Sequence, residues 1–379
     1  MTSKKTLYLV AGARPNFMKL APMVRALAAR PQAFDVRIVH TGQHYDREMS
    51  DVFFHELGIP APDHHLGAGA GSHAQQTARV MEAFERLCME ARPDAVVVVG
   101  DVNSTLACSI VAKKLCIPVA HVEAGLRSGD MSMPEEINRL VTDSISDWFF
   151  VTEPSGEANL LREGKPASAV HHVGHVMVDN VLFQRDLLER APLAEGASLA
   201  FKAAHARYGV VTLHRPATVD DAATFGRVAE ALRGVSAELP LVFPVHPRTR
   251  ANLQRFGIDL GPGVELLPPL GYMEFLNLWK DAVLVLTDSG GLQEETTALG
   301  VPCLTLRENT ERPVTVDEGT NVLVGSDGAA IRREVARVLR GDGKRGRRPA
   351  LWDGRAAERT ADILARELHA GPEPLSAAR

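Results

Sequence analysis

Hydrophobic positions in the first 170 residues alternate between short β-rich runs and longer amphipathic stretches. The pattern predicts strands at 5–10 and 35–40 with a helix at 16–29 between them. The segment 95–100, AVVVVG, is apolar throughout, which predicts a central strand buried on both faces. Such alternation is typical of an α/β protein, in which helices cover both faces of a parallel sheet.

The same alternation restarts in the second half of the chain. Strands are predicted at 208–213, 241–244, 264–267, 283–287 and 301–306. We therefore expect two βα domains, at 1–173 and 174–354, with the boundary where Ala, Gly and Glu weaken the pattern. A last helix at 355–370 is expected to pack against the first domain.

Composition narrows the class of protein. The chain has 379 residues, 45% of them hydrophobic and 23% charged, which is typical of a globular protein of two or three domains. Lys and Arg number 42 against 47 Asp and Glu, so the charge balance disfavours nucleic acid or a membrane surface as a partner. No apolar run approaches the roughly 20 residues that span a bilayer, and four cysteines without CxxC spacing fit a reducing compartment. We expect a cytoplasmic protein.

Several signatures of cofactor chemistry are missing from the sequence. It contains no GxxxxGK[ST] loop, no GxSxG or HExxH motif, and no GxGxxG between a strand and a helix. The pairs His64-His65 and His171-His172 are sequence neighbours whose side chains point apart, so neither predicts a two-ligand metal site. We expect no metal and no redox cofactor.

An anion site is predicted where a buried strand leads into a helix. Ser289, Gly290 and Gly291 follow the strand, and the unbonded N–H groups of a helix start suit a diphosphate. Glu295 lies in that helix and could face a ribose diol. The alternative is an ordinary helix cap followed by acidic first-turn residues.

Cationic side chains lie at two further strand ends. Arg14 and Lys19 follow the first strand at the start of a helix, where a bound anion would relieve their conflict with the helix dipole. Arg312 follows a later strand and is a third candidate phosphate ligand. A salt bridge from Arg312 to Glu311 or Glu308 is an equal alternative.

Acid and base candidates cluster in the first domain. Asp101 and Glu123 each end a strand, and Glu135 opens a helix. Carboxylates at adjacent strand ends can lie close together at one edge of the sheet. Mutual repulsion of the carboxylates and their burial there suit them to proton transfer. Capping or first-turn roles are the alternatives for each. In the second domain His214 follows a strand and precedes an arginine in the sequence. A histidine in this position is more typical of a ligand contact or a general acid than of a structural residue.

With these residues assembled, the sequence strongly resembles the non-hydrolysing UDP-N-acetylglucosamine 2-epimerase family from about residue 10 to 325. The resemblance is carried by motifs in a fixed order: GARPNFMKLAPM, TGQHYDREMSDVFF, GDVNSTLA, HVEAGLRSGDMSMPEEINR, TLHRP, FPVHPRTR, TDSGGLQEE and RENTERPVTVDEGTNVLVG. It implies two Rossmann-like, doubly wound domains of the glycosyltransferase-B type, an active site in the cleft between them, and a homodimer.

The resemblance also implies a reaction and roles for individual residues. The C2 proton of UDP-N-acetylglucosamine is removed with loss of UDP, giving 2-acetamidoglucal, and UDP then adds back with protonation on the other face. The implied acids are Asp101, Glu123 and Glu135, with His214 near the diphosphate. The implied nucleotide and phosphate contacts are Arg14, Lys19, Ser289, Gly290, Gly291 and Arg312, with Glu295 on the ribose and Phe275 in the uridine pocket.

The chain departs from the family pattern at two motifs. Ala13 and Asn16 stand where many members read GTRPE, and the segment after His214 reads RPAT where many read RREN. Some members bind a second UDP-N-acetylglucosamine as an activator through residues that Gln43, His44 and His246 match. Because the segment after His214 is changed, the sequence does not decide whether this chain has such a site.

The departures also leave room for other activities. The substrate could be a UDP-sugar with a 3-acetamido or uronic acid group. A hydrolysing epimerase, a glycosyltransferase of the same fold and a non-catalytic UDP-sugar sensor are the remaining alternatives.

Overall fold

The chain consists of two compact units. The computed structural model describes residues 4–12, 14–42, 54 and 56–370. Unit 1 comprises Met1–Asn180 and Ala350–Arg379, and unit 2 comprises Val181–Pro349. The division after Asn180 lies within a helix, a few residues beyond the boundary that the sequence pattern suggested.

Unit 1 is built on a parallel sheet. Its described strands are β1 (Lys5–Ala11), β2 (Phe34–His40), β3 (His64–His65), β4 (Ala95–Val99), β5 (Val119–Val122), β6 (Trp148–Val151) and β7 (Val170–His172). They are arranged in the order β3-β2-β1-β4-β5-β6-β7, which is the doubly wound order of a Rossmann-like sheet.

Helices alternate with these strands. The helices with described bounds in unit 1 are α1 (Arg14–Ala28), α2 (His73–Glu90), α3 (Asn103–Lys114), α4 (Pro134–Ile145), α5 (Pro154–Arg162) and the start of α6 (Val176–Arg190). The strands and helices of the predicted pattern are present, and α2 is a helix that the pattern did not reveal. Its start is fixed by a capping box between Ser72 and Gln75.

The centre of the unit 1 sheet follows directly from its sequence. All five residues of β4 are buried, and the strand pairs with β1 on one side and β5 on the other. A run of valines has no polar face, so it is stable only where helices cover both sides of the sheet. This strand positions Asp101, which follows it.

Unit 2 repeats the architecture. Its strands are β8 (Gly209–Thr212), β9 (Leu241–Pro244), β10 (Val264–Leu267), β11 (Leu284–Thr287), β12 (Cys303–Thr305) and β13 (Asn321–Leu323), in the parallel order β10-β9-β8-β11-β12-β13. Its helices are α7 (Ala197–Ala204), α8 (Pro216–Val219), α9 (Ala222–Ser236), α10 (Pro247–Phe256), α11 (Tyr272–Trp279), α12 (Gly290–Leu299), α13 (Pro313–Asp317) and α14 (Gly328–Leu339). The expected α/β class with two doubly wound sheets is confirmed.

The C-terminal helix α15 (Ala356–Ala370) belongs to unit 1. The buried carboxylate of Asp179 accepts hydrogen bonds from the backbone N–H groups of Ala356 at 3.1 Å and Ala357 at 2.7 Å. The indole N–H of Trp352 donates to the carbonyl of Thr152 at 3.0 Å. These hydrogen bonds and the buried side chain of Trp352 therefore attach the C-terminal segment to unit 1. Among the described helices none has the length and apolar content needed to cross a bilayer.

Candidate active site

Two acidic residues of unit 1 stand at neighbouring strand ends. Asp101 follows β4 and Glu123 directly follows β5, and the last residues of these strands, Val99 and Val122, are paired in register. Because both strands are parallel, their carboxyl ends meet at one edge of the sheet. The fold thus brings Asp101 and Glu123 to the same edge, as the sequence pattern suggested.

Glu123 is held in an unusual backbone conformation. Its φ is +75°, in the left-handed region that side chains other than glycine rarely adopt. Gly125, two residues on, has φ +81°, and a Cβ there would lie 2.3 Å from the carbonyl oxygen of Gly156. The turn after β5 is therefore fixed by close backbone packing. Local backbone strain of this kind is common at active sites, where it holds a side chain in one orientation.

Lys19 contacts Glu123. The Lys19 ammonium on α1 forms an ion pair with the Glu123 carboxylate, and both side chains are largely buried. Asn16, one of the departures from the family pattern, donates through Nδ2 to the carbonyl of Val99 at 2.8 Å and so anchors the end of β4. Arg14 begins α1, and its side chain lies outside the described part of the chain.

Asp101 is positioned by α4. The Arg139 guanidinium forms an ion pair with the Asp101 carboxylate, and Asn138 Nδ2 donates to the Asp101 carbonyl at 2.8 Å. The Asp101 side chain remains 29% exposed, so a ligand can reach it. Neither Arg139 nor Asn138 was among the candidate residues taken from the sequence.

The two glutamates at the start of α4 have different environments. Glu135 is exposed, whereas Glu136 is buried and accepts hydrogen bonds from Ser128 N–H at 3.0 Å, Gly129 N–H at 2.9 Å and Arg139 Nη2 at 2.6 Å. Burial opposes ionisation of Glu136, but these donors hold its pKa below the ordinary value. Glu136 therefore fixes Arg139, and among the described contacts Glu135 is not joined to Asp101 or Glu123.

Unit 2 places a buried aspartate beside His214. Asp288, which follows β11, accepts hydrogen bonds from the backbone N–H groups of His214 at 3.1 Å and Arg215 at 2.9 Å. Its carboxylate also contacts Nδ1 of His214 at 3.1 Å. Burial opposes ionisation of Asp288, but the bonds from His214 and Arg215 lower its pKa. The His214 ring is 49% exposed and accessible to a ligand.

The start of α12 has the features of an anion site. Ser289 occupies the N-cap, but its side chain makes no capping hydrogen bond to this helix in the part of the chain that is described. A Cβ on Gly290 would lie 3.8 Å from Nη2 of Arg215, so a guanidinium stands beside the helix start. The uncapped N–H groups and this cation together suit a negatively charged ligand. Sequence reasoning had not included Arg215 in the site.

Arg312 has a different partner from those suggested by the sequence. Its guanidinium is buried and forms an ion pair with Glu294 on α12. Glu311 instead pairs with Arg307, at 3.0 Å and 2.7 Å. The described partner of Arg312 therefore lies on α12, and the sequence had not suggested it.

Glu295 is a buried carboxyl group on α12. It accepts a hydrogen bond from the hydroxyl of Tyr272 on α11 at 2.9 Å. Burial raises the pKa of Glu295 to about 8. Phe275 lies one helical turn after Tyr272 on α11 and is half-buried. Glu295 is thus bonded to the same helix that carries Phe275.

Comparison with known proteins places the chain in a family. The sequence model of UDP-N-acetylglucosamine 2-epimerases matches residues 25–365. The chain belongs to this family. It is accordingly an epimerase, an enzyme of the isomerase class, and the resemblance read from the motifs is confirmed.

Individual relatives agree. The epimerase is 40% identical to the UDP-N-acetylglucosamine 2-epimerase of Methanocaldococcus jannaschii over 366 residues, covering 94% of this chain and 98% of that protein. It is 39% identical to the UDP-2,3-diacetamido-2,3-dideoxy-D-glucuronate 2-epimerase of Pseudomonas aeruginosa, again over 94% and 98% of the two chains.

A solved structure supports the fold assignment. The crystal structure of the Methanocaldococcus jannaschii enzyme, in complex with UDP-GlcNAc and UDP, matches with a TM-score of 0.84 and 39% identity, covering 96% of this chain and 100% of that one. The epimerase therefore has two doubly wound units of the glycosyltransferase-B type, as expected.

The residues suggested for an activator site are only partly described. Gln43 and His44 lie outside the described residues of the epimerase. His246 is exposed at the N-cap of α10, where its Nδ1 accepts a hydrogen bond from the backbone N–H of Arg248 at 3.3 Å. An allosteric role for these three residues stays a prediction.

Proposed function

We propose that this epimerase interconverts UDP-N-acetylglucosamine and UDP-N-acetylmannosamine through elimination and re-addition of UDP. The observation that carries the proposal is the placement of Asp101 and Glu123 at neighbouring strand ends, each paired with a cation, in a chain that belongs to this family.

The two carboxylates fit a two-way proton transfer. In the forward direction a base removes the C2 proton while the bond from C1 to the UDP oxygen breaks, its electron pair leaves with UDP, and a C1=C2 double bond forms. On return, UDP adds to C1 and an acid delivers a proton to the opposite face of C2. Two separately held carboxylates, Asp101 and Glu123, can serve the two faces, and Glu135 is a further candidate acid. The reaction is redox-neutral, so it requires no electron carrier.

The polar residues of unit 2 suit the leaving nucleotide. The start of α12 at Ser289, Gly290 and Gly291 would bind the diphosphate, with His214 and Arg312 as further donors. Stabilising the departing UDP lowers the barrier to elimination because negative charge develops there.

Other contacts are proposed from the family motifs. Glu295 would bind the ribose and Phe275 would contact the uracil ring. Arg14 and Lys19 are proposed phosphate contacts, and Lys19 also pairs with Glu123.

A modified UDP-sugar is the second candidate substrate. The relative from Pseudomonas aeruginosa, named for a diacetamido glucuronate, is as similar to this chain as the relatives named for UDP-N-acetylglucosamine. The changed segment after His214 supports the same alternative, since charged groups of the usual motif are replaced there by Pro216, Ala217 and Thr218.

The test is proton NMR of the purified protein in deuterated water with UDP-N-acetylglucosamine or the diacetamido glucuronate. We expect the manno-configured UDP-sugar to form with deuterium at C2 and little free UDP. Free UDP accumulating with the sugar would indicate hydrolysis, and an unaltered sugar in both samples would contradict the proposal. Asp101→Asn and Glu123→Gln should bind UDP but not turn over, while the exposed Glu265→Gln serves as control.

We further propose a homodimer in the cytoplasm that supplies precursors of cell-surface polysaccharide, as the family resemblance implies. Light scattering of the purified protein would show twice the chain mass of 41.0 kDa. A single-chain mass at working concentration would contradict the dimer.

A further inference from the structure

His121 lies beneath the two candidate catalytic carboxylates. It is on β5, two residues before Glu123, and its side chain is fully buried. Its Nε2 lies 2.9 Å from the carbonyl oxygen of Gly100, the residue before Asp101. Its Nδ1 lies 2.7 Å from Oδ1 of Asp143 on α4. One imidazole therefore joins the end of β4, the strand β5 and the helix α4.

Both partners of the ring are hydrogen-bond acceptors. A backbone carbonyl can only accept, so Nε2 must carry a hydrogen. Asp143 also accepts from Gly125 N–H at 3.0 Å and from Arg127 Nη1 at 2.8 Å, as an ionised carboxylate does. Burial opposes that ionisation, but His121 and Arg127 hold the pKa of Asp143 below its ordinary value. Both of those bonds are made to Oδ2 of Asp143, whereas the ring contacts Oδ1.

Asp143, the partner of Nδ1, is itself held in place. Asp143 and Arg127 form an ion pair, and Arg127 donates from Nε and Nη2 to Glu163 at 2.9 Å and 2.7 Å. A buried carboxylate is tolerated only with such pairing. The ring of His121 therefore contacts a fixed group on α4.

Each contact of the His121 ring reaches a segment that positions Asp101. Losing Gly100 would release the end of β4 that leads into Asp101. Losing Asp143 would release α4, which holds Asp101 through Arg139.

We propose that His121 is a positioning residue: a buried imidazole that ties the ends of β4 and β5 to α4 and so fixes Asp101 and Glu123 relative to each other. Its role in the reaction rests on the proposed function, whereas its two contacts do not.

The two contacts are tested first, without substrate. Full-length protein labelled with ¹⁵N-histidine is examined by NMR, with His121→Gln to assign the signals. We expect a hydrogen on Nε2 that exchanges slowly with water, as the buried bond to Gly100 requires, and we expect the His121 ring signals to shift in Asp143→Asn. A ring without a hydrogen on Nε2, or ring signals that are unchanged in Asp143→Asn, would overturn the proposal.

The positioning role is tested by kinetics. His121→Gln keeps one donor, and we expect kcat per folded protein to fall about 10- to 100-fold with KM within about twofold, because small misplacement of reacting groups costs this much. The exposed His65→Gln should leave both unchanged. Unchanged kcat in folded His121→Gln would overturn the positioning role. An inactive wild type would instead contradict the proposed function and leave the NMR result standing.

Discussion

Asp288 binds His214 twice, through the backbone N–H at 3.1 Å and through Nδ1 at 3.1 Å. The buried carboxylate at the end of β11 thus fixes both the turn after β8 and the orientation of the imidazole. With Nδ1 committed to Asp288, Nε2 is the ring nitrogen directed to a ligand.

We predict that Asp288→Asn lowers kcat by about 100-fold or more, because the amide loses the charge and no longer selects Nδ1–H. The affinity for UDP should fall by a smaller factor than kcat. The measurement is the initial rate of epimerisation across pH, together with calorimetric binding of UDP.

The matched control is the pair His214→Gln and the double variant. If Asp288 acts through His214, the double variant should be no slower than His214→Gln alone. Losses that multiply in the double variant would contradict this coupling.

The ion pair between Lys19 and Glu123 predicts a second effect. Lys19→Met removes the ammonium beside a nearly buried carboxylate, and we expect a loss of about 2 to 4 kcal/mol in the free energy of unfolding. Urea denaturation with a fluorescence readout measures it.

The double variant Lys19→Met with Glu123→Gln tests the cause of that loss. Removing both charges should restore part of the stability. The sum of the losses in unfolding free energy of the two single variants should therefore exceed the loss in the double variant by about 1 to 3 kcal/mol. Strictly additive losses would show that the pair is not coupled.

Glu295 predicts a pH dependence of stability. Burial raises its pKa to about 8 in the folded protein, against 4.5 for the ordinary group. Between these values the unfolded chain releases a proton that the folded chain keeps, so this group's contribution to stability is lost as the pH rises towards 8.

The variant Glu295→Gln removes this titration. We expect the stability difference between Glu295→Gln and wild type to shift in favour of the variant by on the order of 4 kcal/mol from pH 4.5 to pH 8. Glu265→Gln, on the exposed face of β10, should show no such trend. Parallel stability curves for Glu295→Gln and wild type would disprove the burial effect.

Asp179 predicts a local change in unit 1. Asp179→Asn leaves one acceptor for the two backbone N–H groups of Ala356 and Ala357, and we expect a loss of about 1 kcal/mol with faster hydrogen exchange at the start of α15. The exposed Asp342→Asn is the control. Exchange in α15 equal to that of wild type would contradict the capping role.

The sequence alone was sufficient for features that follow from local patterns. The valine run of β4 can only be a strand covered on both faces, and the glycines that open α12 mark a helix start that follows a strand. The order of the family motifs then identified the chemistry to expect at those strand ends.

The sequence did not determine which side chains of a helix face the core. Glu135 and Glu136 are adjacent first-turn acids, and which one is buried depends on how α4 packs against its neighbours. Similarly α2 is rich in Gln, Glu and Arg, and its narrow apolar face of Val80, Phe84 and Cys88 is explained by the core it contacts.

Residue chemistry and order along the chain therefore determined the α/β class, the family and the set of candidate residues. Tertiary structure alone decided which charges meet. Lys19 with Glu123, Arg312 with Glu294 and His121 with Asp143 are partners separated by 18 to 104 positions. A long-range ion pair forms where the fold brings two desolvated groups together, and local sequence preferences carry no information about that distance.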